Sequence, residues 1–272
     1  AVEGASGAAL GAYVKKAVER FEQSADDALT MKHVPKKDME KLLKEAPEAA
    51  GIVLKYAQRL WKDRIDVNSE VLASHDTYLK QFQLSKPVLP YEVVYVDEFQ
   101  DTTPCVLDII MNQKHAKIVM VGDRRQAIYG WRGAVNAMQS VYCVEAPLSM
   151  SFRYGQGIAD VATHVLKGDM KVTGRPDLQS IVGFNTVDRT KPHAFLFRTN
   201  ALLLIEAVKA IVKGQQVAVE IDVKDFVKLL ESAMALHKGT MKQVKHEKIL
   251  PYASWWKMAE EAGEIGGELK RL

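Results

Sequence analysis

Residues 94–104 read VYVDEFQDTTP, and this stretch decides the fold class. The β-branched and aromatic run over residues 92–96 (EVVYV) predicts a short strand that ends on Asp97 and Glu98. Pro104 follows where a first helical turn would begin, and residues 104–111 carry a helical apolar pattern. A second β-branched run comes at residues 117–121 (KIVMV). Strand, helix and strand at this spacing predict a parallel α/β unit, whose ligands sit beyond the carboxyl ends of the strands. Both predicted strands run straight into polar residues, Asp97-Glu98 and Gly122-Asp123.

Two adjacent carboxylates directly after a hydrophobic strand are costly unless something cationic sits there. A Mg²⁺ bound to nucleotide phosphates would answer that need. Asp97 would then hold the metal, and Glu98 could take a proton from an attacking water. The plain alternative is a loop that merely opens with two acids and caps the next helix. Residues 119–134 (VMVGDRRQAIYGWRGA) add to the constellation. Gly122 allows a tight turn after the strand and Asp123 is a natural cap. Gln126 is a neutral donor and acceptor that could reach a γ-phosphate or the attacking water. Tyr129 and Trp131, beside Arg132, offer faces on which a base could stack. Taken singly, an aromatic pair packed in a core beside a surface arginine would explain them equally well.

Outward from this centre, about eighty upstream residues predict helices. Tyr13, Val14, Ala17, Val18 and Phe21 follow helical spacing, and so do Ile52, Leu54, Ala57, Leu60 and Trp61. Residues 31–37, with Pro35, predict a break between them. Downstream of Pro147, residues 157–166, 200–212 and 222–236 predict helices, while residues 193–197 (HAFLF) and 216–219 predict strands. A domain boundary is expected near residues 145–148.

The 272 residues are 47% hydrophobic and 26% charged, which excludes disordered, fibrous and disulfide-stapled classes. A net charge of +3 permits a local basic groove without arguing for one. Cys105 and Cys143 lack metal-ligand spacing and are expected to be reduced packing residues. No apolar run is long enough to span a membrane, and residues 1–10 lack the pattern of a signal peptide. A cytoplasmic or nucleoid location is expected, nuclear in a eukaryote.

VDEFQDTTP followed, about two dozen residues later, by VGDRRQAIYGWRGA resembles motifs II and III of superfamily 1 helicases of the UvrD/Rep group. That group's patterns are D-E-x-Q-D and G-D-x-x-Q-x-I-Y-x-[FW]-R-G-A, and so many fixed residues in order are far more specific than a lone glycine-rich loop. Residues 150–154 (MSFRY) resemble motif IV, which implies that Phe152 stacks on adenine and Arg153 contacts the γ-phosphate. An arginine fork suits charge that builds up during phosphoryl transfer. Residues 195–200 (FLFRTN) resemble a strand-to-helix turn that touches the single-strand backbone, implicating Arg198, Thr199 and Asn200. Capping of a helix by Thr199 or Asn200 is compatible with that role. Within the group, residues 75–87 (HDTYLKQFQLSKP) and 131–138 (WRGAVNAM) resemble the F-box DNA helicase branch and its bacterial and phage relatives.

The resemblance implies an α/β fold of the RecA-like P-loop NTPase type, with partial 1A and 2A motor domains and helical 1B and 2B insertions. A 1B-like helical subdomain would cover residues 1–83. The second half of domain 1A would cover 84–146, the first part of domain 2A 147–213, and the start of the 2B insertion 214–272. It further implies an ATP-dependent DNA helicase and single-stranded DNA translocase of 3′-to-5′ polarity, with a place in DNA repair or recombination. ATP and Mg²⁺ would be its cofactors, and single-stranded DNA and duplex junctions its partners. Asp97 and Glu98 would hold Mg²⁺, and Gln126, Phe152 and Arg153 would address the nucleotide. Tyr129, Trp131, Arg132, Arg198, Thr199 and Asn200 would meet DNA.

One departure matters. The phosphate-gripping pattern G-x-x-x-x-G-K-[ST] is missing, because no Gly-Lys dipeptide occurs in these residues. Residues 4–11 (GASGAALG) lack both the lysine and a preceding strand, and motifs V and VI are not found. A central fragment that is inactive alone is therefore expected. The competing class is a catalytically inactive, helicase-derived module that binds DNA or protein. Retention of Asp97, Glu98 and Gln126 argues against it, and residues 129–134 disfavour a RecA-like recombinase. Trp255 and Trp256 are expected to pack in a core.

Overall fold

The computed structural model describes residues 7–128, 130, 137–183, 188, 190–250 and 252–259. The chain divides into two compact units, Ala1–Tyr142 with Glu220–Leu272, and Cys143–Val219. Among the described residues no helix is long and apolar enough to cross a membrane.

In the first unit, α1 (Gly7–Glu22), α2 (Glu40–Glu45), α3 (Ala49–Ile65) and α4 (His75–Leu84) precede the sheet. Apolar residues at helical spacing bury one face of each long helix: Ala17, Val18 and Phe21 from α1, and Ala49, Val53 and Ala57 from α3. The Phe21 ring meets Trp61 edge-on at 5.1 Å and His33 at 5.3 Å. The expected break holds a 3-10 turn, Met31–His33, before Pro35. Ser74 caps α4 by accepting from the Thr77 N–H at 3.2 Å.

Buried polar groups tie these helices together. The Glu22 carboxylate is 1% exposed and receives Arg64 Nη1 on both oxygens at 2.9 Å. The Thr77 hydroxyl donates to the same carboxylate at 2.5 Å. Lys80 lies wholly buried, its ammonium 4.5 Å from the centre of the Phe21 ring. It donates to Ser24 O at 2.9 Å, Asp26 O at 2.5 Å and Gln83 Oε1 at 2.8 Å. Burial pushes the Lys80 pKa below its ordinary value.

The α/β unit forms as expected. β1 (Val93–Val96), α5 (Pro104–Met111) and β2 (Lys117–Met120) follow in order, and the strands pair in parallel from Val93↔Lys117 to Val96↔Met120. Pro104 opens α5 behind the Thr103 cap. Cys105 is fully buried, and its N–H reaches Gln23 O at 3.0 Å just past the end of α1. A short helix, α6 (Ala137–Ser140), follows.

The second unit contains α7 (Gln156–Val165) and α8 (Asn200–Val212). The strands expected at 193–197 and 216–219 do not form. His193, Phe195 and Phe197 do alternate onto one face, with ring contacts at 5.0 and 6.2 Å, as an extended chain requires. A strand also needs a partner ladder, and among the described residues this unit holds only one isolated bridge, Met150↔Thr173. Phe195 and Leu196 stay exposed as a result.

The chain rejoins the first unit through α9 (Val223–His237), capped by Asp222, which accepts from Asp225 N–H at 3.0 Å. Leu229, Ala233, Leu236, Val244, Ile249 and Met258 form its core, with Trp255 packed against it. Two packing expectations are corrected. Trp256 is 82% exposed, because successive residues of the helical turn 255–259 point to different faces. Cys143 is exposed too, in an irregular stretch that follows α6.

Candidate active site

Asp97 and Glu98 stand at the carboxyl end of β1, and Gly122 and Asp123 stand just past the end of β2. Parallel pairing therefore brings the two polar loops side by side. Glu98 adopts a left-handed backbone conformation, φ 48° and ψ 41°, which a non-glycine residue takes only at some cost. The bend is fixed on both sides: Glu98 N–H donates to Asp97 Oδ1 at 2.9 Å and Phe99 N–H to Val121 O at 3.0 Å. It carries the chain into the 3-10 turn Phe99–Asp101, with Phe99 and Gln100 buried.

The residue that joins the loops is Gln100, which the chemistry of the acidic pair did not single out. Its side chain is 1% exposed. Nε2 donates to Glu98 Oε2 at 2.6 Å and to Asp101 Oδ2 at 3.2 Å. Oε1 accepts the backbone N–H of Asp123 at 3.0 Å. Gly122 is required beside it, since a Cβ there would fall 2.4 Å from Gln100 Oε1 and 3.1 Å from Phe99 N. The signal in the sequence is the fixed glutamine of the D-E-x-Q-D pattern, which Gln100 fills between Phe99 and Asp101.

Asp123 organises the second loop. Its carboxylate accepts from Arg125 N–H at 2.9 Å and from Gln126 Nε2 at 2.9 Å, and its carbonyl accepts Gln126 N–H at 2.9 Å. Gln126 is thus held on Asp123 rather than on the acidic pair, and its side chain faces solvent. Tyr129, Trp131 and Arg132 lie outside the described residues.

Phe152 and Arg153 belong to the second unit, where both are exposed. Their loop is pinned at each end. Ser151 N–H donates to Thr173 O at 2.8 Å, Arg175 N–H to Tyr154 O at 2.9 Å, and Gly155 N–H to Ser180 Oγ at 2.8 Å. Backbones cross closely here: a Cβ on Gly174 would lie 2.3 Å from the Gly155 carbonyl carbon. Thr199 is the N-cap residue of α8, with Arg198 exposed before it and Asn200 opening the helix. Its side chain makes no capping bond.

Hard carboxylate oxygens suit a divalent cation such as Mg²⁺. Asp97 and Glu98 are exposed, and each commits one oxygen to the local bonds just described. Asp101 Oδ1 is buried with no hydrogen-bond partner among the described residues. No group of three or more His, Cys, Asp or Glu side chains is arranged to hold a metal among them. The set therefore fits a cation held by one or two carboxylates, with water and phosphate oxygens completing its shell, and not an all-protein cage.

Residues 11–141 match the UvrD/REP helicase N-terminal domain. The F-box DNA helicase protein 1 of Schizosaccharomyces pombe is 32% identical over 277 residues, covering 92% of this chain and 30% of the relative. The F-box DNA helicase 1 of Gallus gallus is 35% identical over 173 residues, 60% of this chain and 17% of the relative. The ATP-dependent DNA helicase PcrA of Leuconostoc citreum is 34% identical over 86 residues, 28% of this chain and 11% of the relative. The chain spans less than a third of the length of each of these proteins. A parallel strand pair ending in the two loops of motifs II and III, together with these matches, identifies the chain as a member of the UvrD/REP helicase family.

Proposed function

We propose that the chain is the central part of an ATP-driven translocase on single-stranded DNA that separates duplexes with 3′-to-5′ polarity. The observation that carries this reading is the Gln100 bridge. It holds the Glu98 carboxylate and the Asp123 backbone on one buried amide, at 2.6 and 3.0 Å. A left-handed Glu98 supports it as well, since backbone strain of this kind gathers at functional sites.

In this mechanism Asp97 and Glu98 would hold the cation, and Glu98 accepts the proton of the attacking water. Bound Mg²⁺ would neutralise charge on the phosphate oxygens. Gln126 orients the water or the γ-phosphate from the turn that Asp123 fixes. Phe152 offers the adenine a stacking face, and Arg153 contributes a guanidinium to the phosphates. Arg198, Thr199 and Asn200 meet the strand backbone at the start of α8. Tyr129, Trp131 and Arg132 supply further DNA contacts. Domain limits at residues 83, 146 and 213 belong to the same proposal, and so does action in the nucleoid or nucleus.

DNA-stimulated ATP hydrolysis tests it. The 272 residues alone, which contain no Gly-Lys dipeptide, are expected to turn over negligible ATP. In the full-length protein, Glu98→Gln is expected to lower kcat by about 10²–10⁴-fold with little change in DNA affinity. An undiminished rate in that variant would overturn the assignment of the acidic pair.

A further inference from the structure

The exposed Trp256 stands at a groove. Between the C-terminal end of α9 and the segment around residue 255 lies a cavity of about 350 Å³, lined by His237, Gly239, Met241, Trp255 and Trp256 among others. One wall is firm. Trp255 packs on the α9 core and is held edge-on by the His237 ring, centroids 4.9 Å apart and planes at 89°. Beneath it Val244, Ile249 and Met258 are buried, so the loop that frames the groove is anchored at both ends. The other wall carries Trp256, whose indole is left to solvent.

A single exposed aromatic needs no explanation by itself. The charge around this one does. Between His237 and Ala259 the sequence places five lysines, Lys238, Lys242, Lys245, Lys248 and Lys257, against one acid, Glu247, with Glu260 and Glu261 following directly after. All five lysines are exposed. The acid is engaged elsewhere, since Lys15 Nζ sits 2.6 Å from Glu247 Oε2 and holds that carboxyl below its ordinary range. Lys238, Lys242 and Lys257 directly follow in sequence the lining residues His237, Met241 and Trp256, at the rim of the groove and not among its lining residues. Aromatic faces interleaved with cations match a single-stranded nucleic acid, whose bases stack while its phosphates take the charge. An acidic peptide would use the cations, but its carboxylate side chains offer no aromatic face to stack on the indole.

We propose that this groove is a second contact for single-stranded DNA, separate from the motif loops, with a base laid against Trp256 and phosphates on Lys238, Lys242 and Lys257. The choice of ligand rests on the reading of the chain as part of a DNA motor; the site itself does not involve Asp97 or Glu98. Binding of a fluorescein-labelled oligothymidylate to the 272-residue chain, followed by anisotropy, tests it. Trp256→Ala is expected to weaken binding about tenfold and Trp256→Phe to restore most of it. Lys238→Gln with Lys242→Gln should flatten the slope of log K against log salt by about 0.7 for each lysine. Wild-type affinity in Trp256→Ala, with unchanged salt dependence in the lysine variant, would overturn the groove while leaving the motor reading intact. Displacement of the oligonucleotide by polyglutamate with no effect of Trp256→Ala would mark a surface for acidic peptides and overturn it too. No binding of oligothymidylate by the wild-type chain overturns the groove and withdraws the DNA reading of this segment. The ATPase of full-length Glu98→Gln judges the motor separately.

Discussion

The side-chain amide of Gln100 holds the Glu98 carboxylate, Nε2 to Oε2, at 2.6 Å, and the same amide receives the Asp123 N–H through its oxygen at 3.0 Å. One neutral group thus fixes the loop after β1 and the loop after β2 relative to each other. Gln100→Leu removes both of these bonds and the third to Asp101 Oδ2 at similar volume, and leaves the Asp123 N–H without its partner. The expected loss of stability is about 1–3 kcal/mol, read as a lower urea midpoint at unchanged slope. In the full-length protein the same variant should depress kcat more than KM, since the acids would remain but their loops would be uncoupled. A variant with wild-type midpoint and kcat would show that the bridge is incidental.

Two glycines are expected to be intolerant for a related reason. Gly122 abuts Gln100 Oε1, and Gly174 abuts the Gly155 backbone, at 2.4 and 2.3 Å from where a Cβ would sit. Alanine at either position overpacks the contact, at a cost of about 1–3 kcal/mol. The two should differ in kind. Gly122 meets most closely the end of a side chain, which can swing away at the expense of the Gln100 hydrogen bonds, while Phe99 N at 3.1 Å needs only a small shift. Gly174 meets main chain, which can yield only by parting the strand-like segments that pin Phe152 and Arg153. Gly174→Ala should therefore be the more destabilising, and equal midpoints in denaturant titration would contradict this.

The strand–helix–strand centre was legible because its signals are local: β-branched runs, Pro104 at a first helical turn, and polar residues at both strand ends. The helices around Phe21 and Val53 were legible from apolar spacing alone. What escaped notice depends on partners distant in sequence. Lys80 and Gln83 lie in α4, where Lys80 reads as a surface residue, yet it is buried because carbonyls of Ser24 and Asp26 wait for it. Gln100 fills the fixed glutamine of the D-E-x-Q-D pattern, but its bridging role is not legible there, being set by Asp123. Residues 193–197 show the reverse error, since alternation predicted a strand but no ladder among the described residues offers it a place. Trp256 was misjudged because composition cannot say which side of a helical turn meets the core.

Glu22 and Arg64 form the most deeply placed ion pair described, with side chains 1% and 10% exposed. Breaking it from one side strands a charge. Arg64→Met should cost about 3–5 kcal/mol, because the Glu22 carboxylate would keep only the Thr77 hydroxyl. Arg64→Met combined with Glu22→Gln should recover much of that loss, since neither residue is then charged. Urea unfolding of the three proteins decides it. Equal destabilisation in single and double variants would mean that shape, not charge, governs the site.

Acid sensitivity is expected from His33 and Asp26. His33 Nε2 lies 2.8 Å from Asp26 Oδ2, and Nδ1 lies 3.0 Å from the Thr30 N–H, a pattern that the neutral ring with its proton on Nε2 satisfies. Burial drives the His33 pKa below its ordinary 6.5, against the pull of the Asp26 hydrogen bond. Burial raises the Asp26 pKa, but hydrogen bonds from Lys32 and His33 outweigh it and hold the carboxyl below its ordinary 3.8. Each group therefore binds fewer protons folded than unfolded. The His33 contribution is complete above about pH 6.5 and is lost as pH falls through its folded value; the Asp26 contribution follows at still lower pH. Between pH 7 and pH 5 stability should fall, with His33 accounting for no more than about 1.4 kcal/mol per pH unit. His33→Gln should be less stable at pH 7 yet show a shallower decline, and identical pH slopes for the two proteins would exclude His33 as the group responsible.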